Sequence, residues 1–129
     1  MTASGAFDLS FAGDGTVIFG VLGSGGGWFT DVKIDSINRI YAYGNAEEND
    51  GDSDLLIRRL FASGGADVGY ASGQFHHNIG PPGRPNLATE LHLMGGKPLM
   101  VGSSEFVNQD YDLNLTRLWS DLIFANGIQ

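Results

Sequence analysis

The stretch DLSFAGDG at residues 8–15 returns in altered form as DVGYASG at residues 67–73 and as DLIFANG at residues 121–127. Each copy begins with an aspartate, has an aromatic residue three positions later and ends in a glycine. An internal repeat governs the interpretation of the whole chain, because repeated sequence units fold as repeated structural units. The opening occurs three times, but a full repeat follows it only twice.

The similarity between the copies extends over a whole period of the sequence. Shifting the chain by 58 or 59 residues superimposes similar side chains along most of its length. The matched pairs are Asp8 and Asp67, Phe11 and Tyr70, Gly15 and Gly73, Arg39 and Lys97, Gly44 and Gly102, Asp54 and Asp112, Arg59 and Arg117, and Leu60 and Leu118. The single domain, residues 1–129, therefore divides into a first repeat at 7–65, a second repeat at 66–120 and the start of a third repeat at 121–129.

Each full repeat contains four candidate strands separated by turn residues. The first repeat has GTVIFGVL at 15–22, WFTDVKID at 28–35, RIYAYGNA at 39–46 and LLIRRLFA at 55–62. The second has GQFHHNIG at 73–80, NLATELHLM at 86–94, KPLMVGSS at 97–104 and DLNLTRLWS at 112–120. Four short antiparallel strands in about 60 residues make a unit of the size of a propeller blade. The sequence predicts an all-β fold of two four-stranded antiparallel propeller-type blades.

The composition agrees with this fold class and excludes several functions. Twenty glycines, spread at intervals through 129 residues, indicate many tight turns between short strands. A net charge of −8 disfavours nucleic acid as a partner, because acidic surfaces repel phosphate backbones. No apolar run reaches the roughly 18–20 residues that a membrane span needs, so we expect no membrane insertion.

No signature of an enzyme is present. The chain has no cysteine, which excludes thiol catalysis and disulfide bonds. It contains neither GxSxG nor HExxH, and its GSGGG stretch at residues 23–27 lacks the lysine that a phosphate-binding loop requires. We therefore predict a protein that is not an enzyme and requires no cofactor.

The repeats resemble the delta-60 repeat family of bacterial β-propeller-like proteins. The resemblance covers almost the entire chain and is carried by the openings FDLSFAGDG and ADVGYASG, the third-strand starts NRIYAYG and GKPLMVG, and the fourth strands DSDLLIRRL and DYDLNLTRL. The chain departs from the family at Ala12 and Ala71, where the family has glycine, and at SIN in residues 36–38. The resemblance implies a non-catalytic module of surface or secreted proteins. It thus favours an extracellular or cell-surface location, with the cytoplasm left open.

Two blades alone would leave broad apolar faces in contact with water. Either the chain is a fragment of a longer array, or its last segment docks on another copy. Arg117 precedes Asp121 by four residues, whereas Arg59 precedes Asp67 by eight, and a simple truncation does not explain this shortening. We favour self-association, with a trimer of two-blade chains closing a six-bladed propeller.

The recurring residues have predicted structural roles. The aromatic residues Phe11, Tyr70 and Phe124 are predicted to pack between blades. The recurring arginines are predicted to form ion pairs that lock strand to strand. Their candidate partners are Asp54 and Asp112 before the fourth strands, and the opening aspartates Asp8, Asp67 and Asp121.

Two groups of residues are candidates for binding a ligand. Aromatic rings suit protein surfaces and sugars, and the candidates are Trp28, Tyr41, Tyr43 and Tyr111. Clustered carboxylates suit calcium, and the candidates are Asp50, Asp52 and Asp54 in the loop NDGDSD. The alternative for the acidic loop is that its last aspartate fixes a turn. The sequence thus predicts a self-assembling module that binds a protein or a surface ligand, with a lectin-like carbohydrate-binding protein, assisted by calcium, as the alternative.

Overall fold

The computed structural model describes residues 4–20, 26–47 and 52–119, and it is all-β. The first sheet has the strand order β1 (Gly26–Ile34), β2 (Ile40–Glu47), β3 (Ser53–Leu60) and β4 (Phe75–His77). The second sheet has the order β5 (Asn86–Met94), β6 (Lys97–Val107) and β7 (Asp110–Arg117). All neighbouring strands are antiparallel, which confirms the predicted fold class. Closure into a propeller stays a prediction.

The sheets are offset by one strand from the sequence repeats. Strand β4, which belongs to the second repeat, pairs with β3 of the first, and Leu55 lies opposite His77. A hairpin at residues 61–65 turns the chain back after β3, since the Phe61 N–H donates to the carbonyl of Gly65. The edge of β3 is thereby filled, and residues 15–20, predicted as part of a strand, form none. The second sheet has three strands rather than four within the described residues.

The first hairpin of each sheet has its own turn chemistry. Residues 36–38 form a three-residue loop in which Asn38 has a φ of 64°, a common geometry for loops of this length. The Asp35 carboxylate accepts hydrogen bonds from the N–H groups of Ile37 and Arg39 and from the Arg39 side chain. Burial alone would raise the pKa of Asp35, but these bonds outweigh it and lower the pKa. Gly95 and Gly96, both with positive φ, form the tighter turn of the second sheet.

A β-bulge recurs in both repeats and explains the recurring glycine beside it. The pairing of β1 with β2 skips Thr30, and the pairing of β5 with β6 skips Thr89. A Cβ atom at Gly44 would overlap the carbonyl oxygen of Trp28 on β1. At Gly102 it would lie 2.5 Å from the corresponding oxygen on β5. Only glycine lets the backbones approach this closely.

The core lies between the two sheets. One face of the first sheet is fully buried, and we call it the tyrosine face: Tyr41, Tyr43, Leu55 and Ile57. Against it pack Leu91, Met100 and Leu118 of the second sheet, with Tyr70 and Ala71 from the connection between the sheets. Burial of these side chains is the main favourable contribution to the folded state.

Candidate functional site: the interface between repeats

The opening motif of the second repeat is held by a buried ion pair. Arg59 Nε donates to Asp67 Oδ2 at 2.7 Å, and both side chains are at least nine-tenths buried. The Asp67 N–H also donates to the Arg59 carbonyl at 3.0 Å. Of the two kinds of partner predicted for Arg59, the structure therefore has the opening aspartate. Burial alone would lower the pKa of Arg59, but hydrogen bonds to Tyr41 and Asp67 outweigh it and raise the pKa.

The aromatic residue of the same motif completes this cluster. The ring of Tyr70 packs edge-on against Tyr41, with 5.8 Å between the ring centroids. The guanidinium carbon of Arg59 lies 4.4 Å from the Tyr70 centroid, within the range of a cation–π contact. Asp67 and Tyr70 thus bind one arginine from two directions, which fixes the motif to the end of the first sheet.

The first opening motif adopts the same turn without an arginine. The Phe11 N–H donates to the Asp8 carbonyl at 3.0 Å, as the Tyr70 N–H does to the Asp67 carbonyl. The Asp8 carboxylate is exposed and accepts hydrogen bonds from the backbone and side chain of Ser10, which lower the Asp8 pKa. Within residues 4–20, 26–47 and 52–119, no basic side chain pairs with Asp8. The third opening motif, with Asp121 and Phe124, lies outside the described residues.

Arg117, the counterpart of Arg59, borders a surface pocket. The pocket has a volume of about 150 Å³ and is lined by Lys97, Arg117, Leu118 and Trp119. The Lys97 ammonium lies 4.2 Å from the centroid of a Trp119 ring. In the part of the chain that the structure describes, Arg117 has no carboxylate partner.

The first sheet contacts the second sheet through non-equivalent faces. Positions that are equivalent in the two repeats therefore have different environments. The counterpart of the tyrosine face, 58 residues later, is a surface that we call the leucine face: Leu99, Val101, Leu113 and Leu115. Leu55 and Ile57 have 0% exposure, whereas Leu113 is 91% and Leu115 is 70% exposed. The second sheet covers the tyrosine face, but no described residue covers the leucine face in the same way.

The complementary surface shows the same inversion. Leu91, which is fully buried against the tyrosine face, corresponds to Val32, which is 55% exposed. Leu93, which packs against the core, corresponds to Ile34, which is 62% exposed. We call Phe29, Val32 and Ile34 together the valine face. Phe29 packs edge-on against Phe19, whereas Val32 and Ile34 are exposed. Each chain therefore presents a second, largely exposed copy of both surfaces that meet in its core.

Polar groups accompany the apolar contact between the sheets. The Tyr43 hydroxyl donates to the Val101 carbonyl at 3.1 Å, and Asp31 Oδ2 accepts the Leu91 N–H at 2.8 Å. Burial alone would raise the pKa of Asp31, but hydrogen bonds from Leu91, Lys33 and the adjacent backbone outweigh it and lower the pKa. These bonds fix how one sheet sits on the next.

A buried asparagine network was missed by sequence reasoning. Asn86 is fully buried, and its carbonyl accepts bonds from the Asn45 side chain and the Ser53 hydroxyl. Its side chain donates to the Ser53 carbonyl and accepts from the Ser104 hydroxyl. A satisfied buried network of this kind rigidifies a core and specifies one packing arrangement. The only signal in the sequence was an amide side chain within a strand at Asn45 and at the start of one at Asn86.

The acidic loop is only partly described. Asp50 lies outside the described residues. Asp52 is buried, and its carboxylate accepts the N–H groups of Ser53 at 2.8 Å and Gly83 at 3.3 Å. Asp54 lies in β3 opposite Ala46. Among the described residues no three acidic or histidine side chains form a metal-binding group. The residue whose carboxylate holds backbone N–H groups here is thus Asp52, whereas the predicted turn-fixing residue was the last aspartate, Asp54, which lies within β3. Calcium binding stays a prediction.

The four aromatic candidates do not form one surface. Tyr41 and Tyr43 have 0% exposure, so neither ring offers a face to a ligand in this structure. Trp28 and Tyr111 are about half exposed, but they lie on different sheets, in β1 and β7. Of the four candidates, Trp28 and Tyr111 are therefore the two whose rings are accessible to a carbohydrate in this structure.

No helix among the described residues is long and apolar enough to cross a membrane. No protein-family model, curated protein or solved structure matches the chain, and the resemblance to delta-60 repeats therefore depends on the sequence motifs alone.

Proposed function

We propose that the protein is a non-catalytic repeat module that assembles with copies of itself by stacking the leucine face of one chain on the valine face of the next. One observation carries this proposal: Leu113 and Leu115 are exposed at positions whose counterparts, Leu55 and Ile57, are fully buried by the neighbouring sheet. Large exposed apolar patches on soluble proteins mark interaction sites.

The geometry of the contact favours a closed ring over a simple pair. The two surfaces differ from each other, so the contact is head-to-tail, and head-to-tail contacts give rings or open filaments. Stacked sheets of this kind build propellers, and three chains of two sheets each give six blades. The ring offers a rigid surface on which a protein or surface ligand binds.

Replacing Leu115 with aspartate tests the proposal. A charge in the centre of the leucine face opposes desolvation, so we expect Leu115→Asp to reduce the assembled protein to single chains of 13.7 kDa. The measurement is the solution mass by light scattering over a range of concentrations. The matched control is Ile37→Asp, because Ile37 is 67% exposed but lies in a hairpin loop. A wild-type chain that stays at 13.7 kDa at every concentration contradicts the proposal.

A further inference from the structure

The contact between the first repeat and the opening motif of the second shows how one repeat binds the next. Arg59 at the end of β3 binds Asp67 through a 2.7 Å ion pair and stacks on Tyr70. The chain then adds β4 to the edge of β3, with Leu55 opposite His77. An opening motif and the strand that follows it are thus received together by the preceding sheet.

We propose that the pocket lined by Lys97, Arg117, Leu118 and Trp119 receives the opening motif, residues 8–15, of a second copy of the chain. Residues 17–19 of that copy then add a fourth strand to β7. This inference rests on the proposed self-association and identifies the residues that make its specific contact.

The pocket is the counterpart of the occupied site in the first sheet. Its lining residues lie 58 positions after Arg39, Arg59, Leu60 and Phe61. In the first sheet Arg59 binds Asp67 and Tyr70, whereas Arg117 is exposed and faces about 150 Å³ of open volume. Two basic side chains and an indole ring offer the chemistry that an aspartate and an aromatic residue need.

The first opening motif has the turn and the charge of the motif that occupies the equivalent site in the first sheet, and its Ala12 N–H donates to the Ser63 carbonyl of its own chain. Asp8 and Phe11 form the same turn as Asp67 and Tyr70, and the Asp8 carboxylate is exposed. Residues 17–19 lie 58 positions before β4, and they form no strand although their counterparts do. In the assembled state Phe19 would face Leu113, as His77 faces Leu55 in the chain.

The third opening motif of the same chain has a different spacing from its arginine in the sequence. Asp67 returns to Arg59 through a hairpin at residues 61–65, closed by hydrogen bonds between Phe61 and both Gly64 and Gly65. Asp67 follows Arg59 by eight positions in the sequence, whereas Asp121 follows Arg117 by only four. Leu118 still continues the strand, because its N–H donates to the Pro98 carbonyl. A hairpin of the length seen at residues 61–65 therefore has no room in the sequence between Arg117 and Asp121, which favours a second copy as the source of the motif.

Charge reversal across the contact is the decisive experiment. We expect Asp8→Arg and Arg117→Asp each to reduce the assembly to 13.7 kDa chains. An equimolar mixture of the two variants is expected to associate again with the two kinds of chain alternating, because each motif then meets an oppositely charged pocket. The variant that carries both changes in one chain regains the wild-type mass, because the arginine introduced at position 8 meets the aspartate introduced at position 117 of the next copy. Glu47→Arg is the control with the same change in charge, since Glu47 is exposed at the end of β2 and lies outside both the opening motif and the pocket.

The outcomes separate this inference from the proposed function. If the wild type assembles and Asp8→Arg leaves its mass unchanged, the pocket contact is refuted while stacking of the faces stands. If the wild type is a single chain, both proposals fall. If the single chain loses thermal stability on Asp121→Arg but not on Asp8→Arg, the chain's own third motif occupies the pocket, and the inference is overturned.

A covalent crosslink tests the register of the added strand. The chain lacks cysteine, so the variant Leu113→Cys with Phe19→Cys carries only the two introduced thiols. We expect oxidation to join different chains into covalent oligomers on a denaturing gel, because directly opposed residues in antiparallel strands have disulfide geometry. Leu113→Cys with Ile18→Cys is the control, in which the second thiol points to the other face. Equal crosslinking of both variants refutes the register.

Discussion

At the scale of single residues, the two alanines that depart from the delta-60 pattern lie where the backbone favours glycine. Ala12 has a φ of 55° and Ala71 a φ of 50°, both in the left-handed region. For an L-residue other than glycine this conformation costs about 1–2 kcal/mol. The Ala71 methyl group is buried in the core and offsets part of this cost, whereas Ala12 is exposed. The departure was visible in the sequence, but its strain was not.

Replacing Ala12 with glycine is expected to stabilise the protein. The variant removes the steric strain and loses almost no buried surface, so the free energy of unfolding should rise by about 1 kcal/mol. Urea denaturation followed by fluorescence measures it. The control is Ala62→Gly, at an exposed position without a positive φ, where the free energy should fall by a few tenths of a kcal/mol to about 1 kcal/mol. A loss of stability for Ala12→Gly would contradict the inference that Ala12 is sterically strained by its positive φ.

The Asp31 carboxylate gives the packing between sheets a dependence on pH. Its pKa in the folded chain lies below the ordinary value of 3.8, so its ionised form stabilises the folded state at neutral pH. This contribution is complete above the unfolded-state pKa and disappears as the pH falls through the folded-state pKa. We expect Asp31→Asn to cost about 1 kcal/mol at pH 7, and the difference from wild type to shrink below about pH 4. Urea denaturation at several pH values measures it, and a difference that stays constant down to about pH 2 is the contrary result.

At the scale of elements, the sequence predicted most strands but not how they divide into sheets. The candidates at 28–35, 39–46 and 97–104 overlap β1, β2 and β6, because alternation and turn residues are local signals. The assignment of β4 to the first sheet depends on the hairpin after β3. Ser63, Gly64 and Gly65 mark a turn there, but a turn signal does not specify which strand the following segment pairs with. The repeated bulges at Thr30 and Thr89 were also hidden, although the glycines that accommodate them were aligned.

The bulge predicts a strict requirement for glycine on the neighbouring strand. A methyl group at Gly102 would meet the Leu87 carbonyl at 2.5 Å and the Tyr43 hydroxyl at 3.3 Å. We expect Gly102→Ala to lower the free energy of unfolding by about 2–3 kcal/mol, because β5 must shift away from β6. Gly65→Ala is the control, since its methyl group would make only ordinary contacts at 3.7 Å or more. Equal effects of both substitutions on thermal unfolding would count against the close approach of the strands.

At the scale of the whole molecule, the sequence indicated that the apolar faces of the sheets must be covered. It did not indicate which of these faces are covered within one chain. Leu55 and Ile57 look like Leu113 and Leu115 in the sequence, yet the first pair is buried and the second exposed. The difference arises because the second sheet packs on the first pair, whereas no described sheet packs on the second pair. The residues themselves do not encode which pair is covered. The buried Arg59–Asp67 pair was among the alternatives that the sequence left open, and the asparagine network around Asn86 was not anticipated.

Strand β4 belongs to the second repeat but completes the first sheet, and this affects the order of folding events during protein synthesis. The chain leaves the ribosome from its N-terminus, so β1, β2 and β3 emerge before the strand that completes their sheet. The first sheet therefore stays incomplete until residue 77 is outside the exit tunnel, well into the second repeat. Asp67 emerges before residue 77, so we expect its ion pair with Arg59 to form first and to hold the incoming segment beside β3. Neither repeat is an autonomous folding unit, and the two are expected to melt in a single transition.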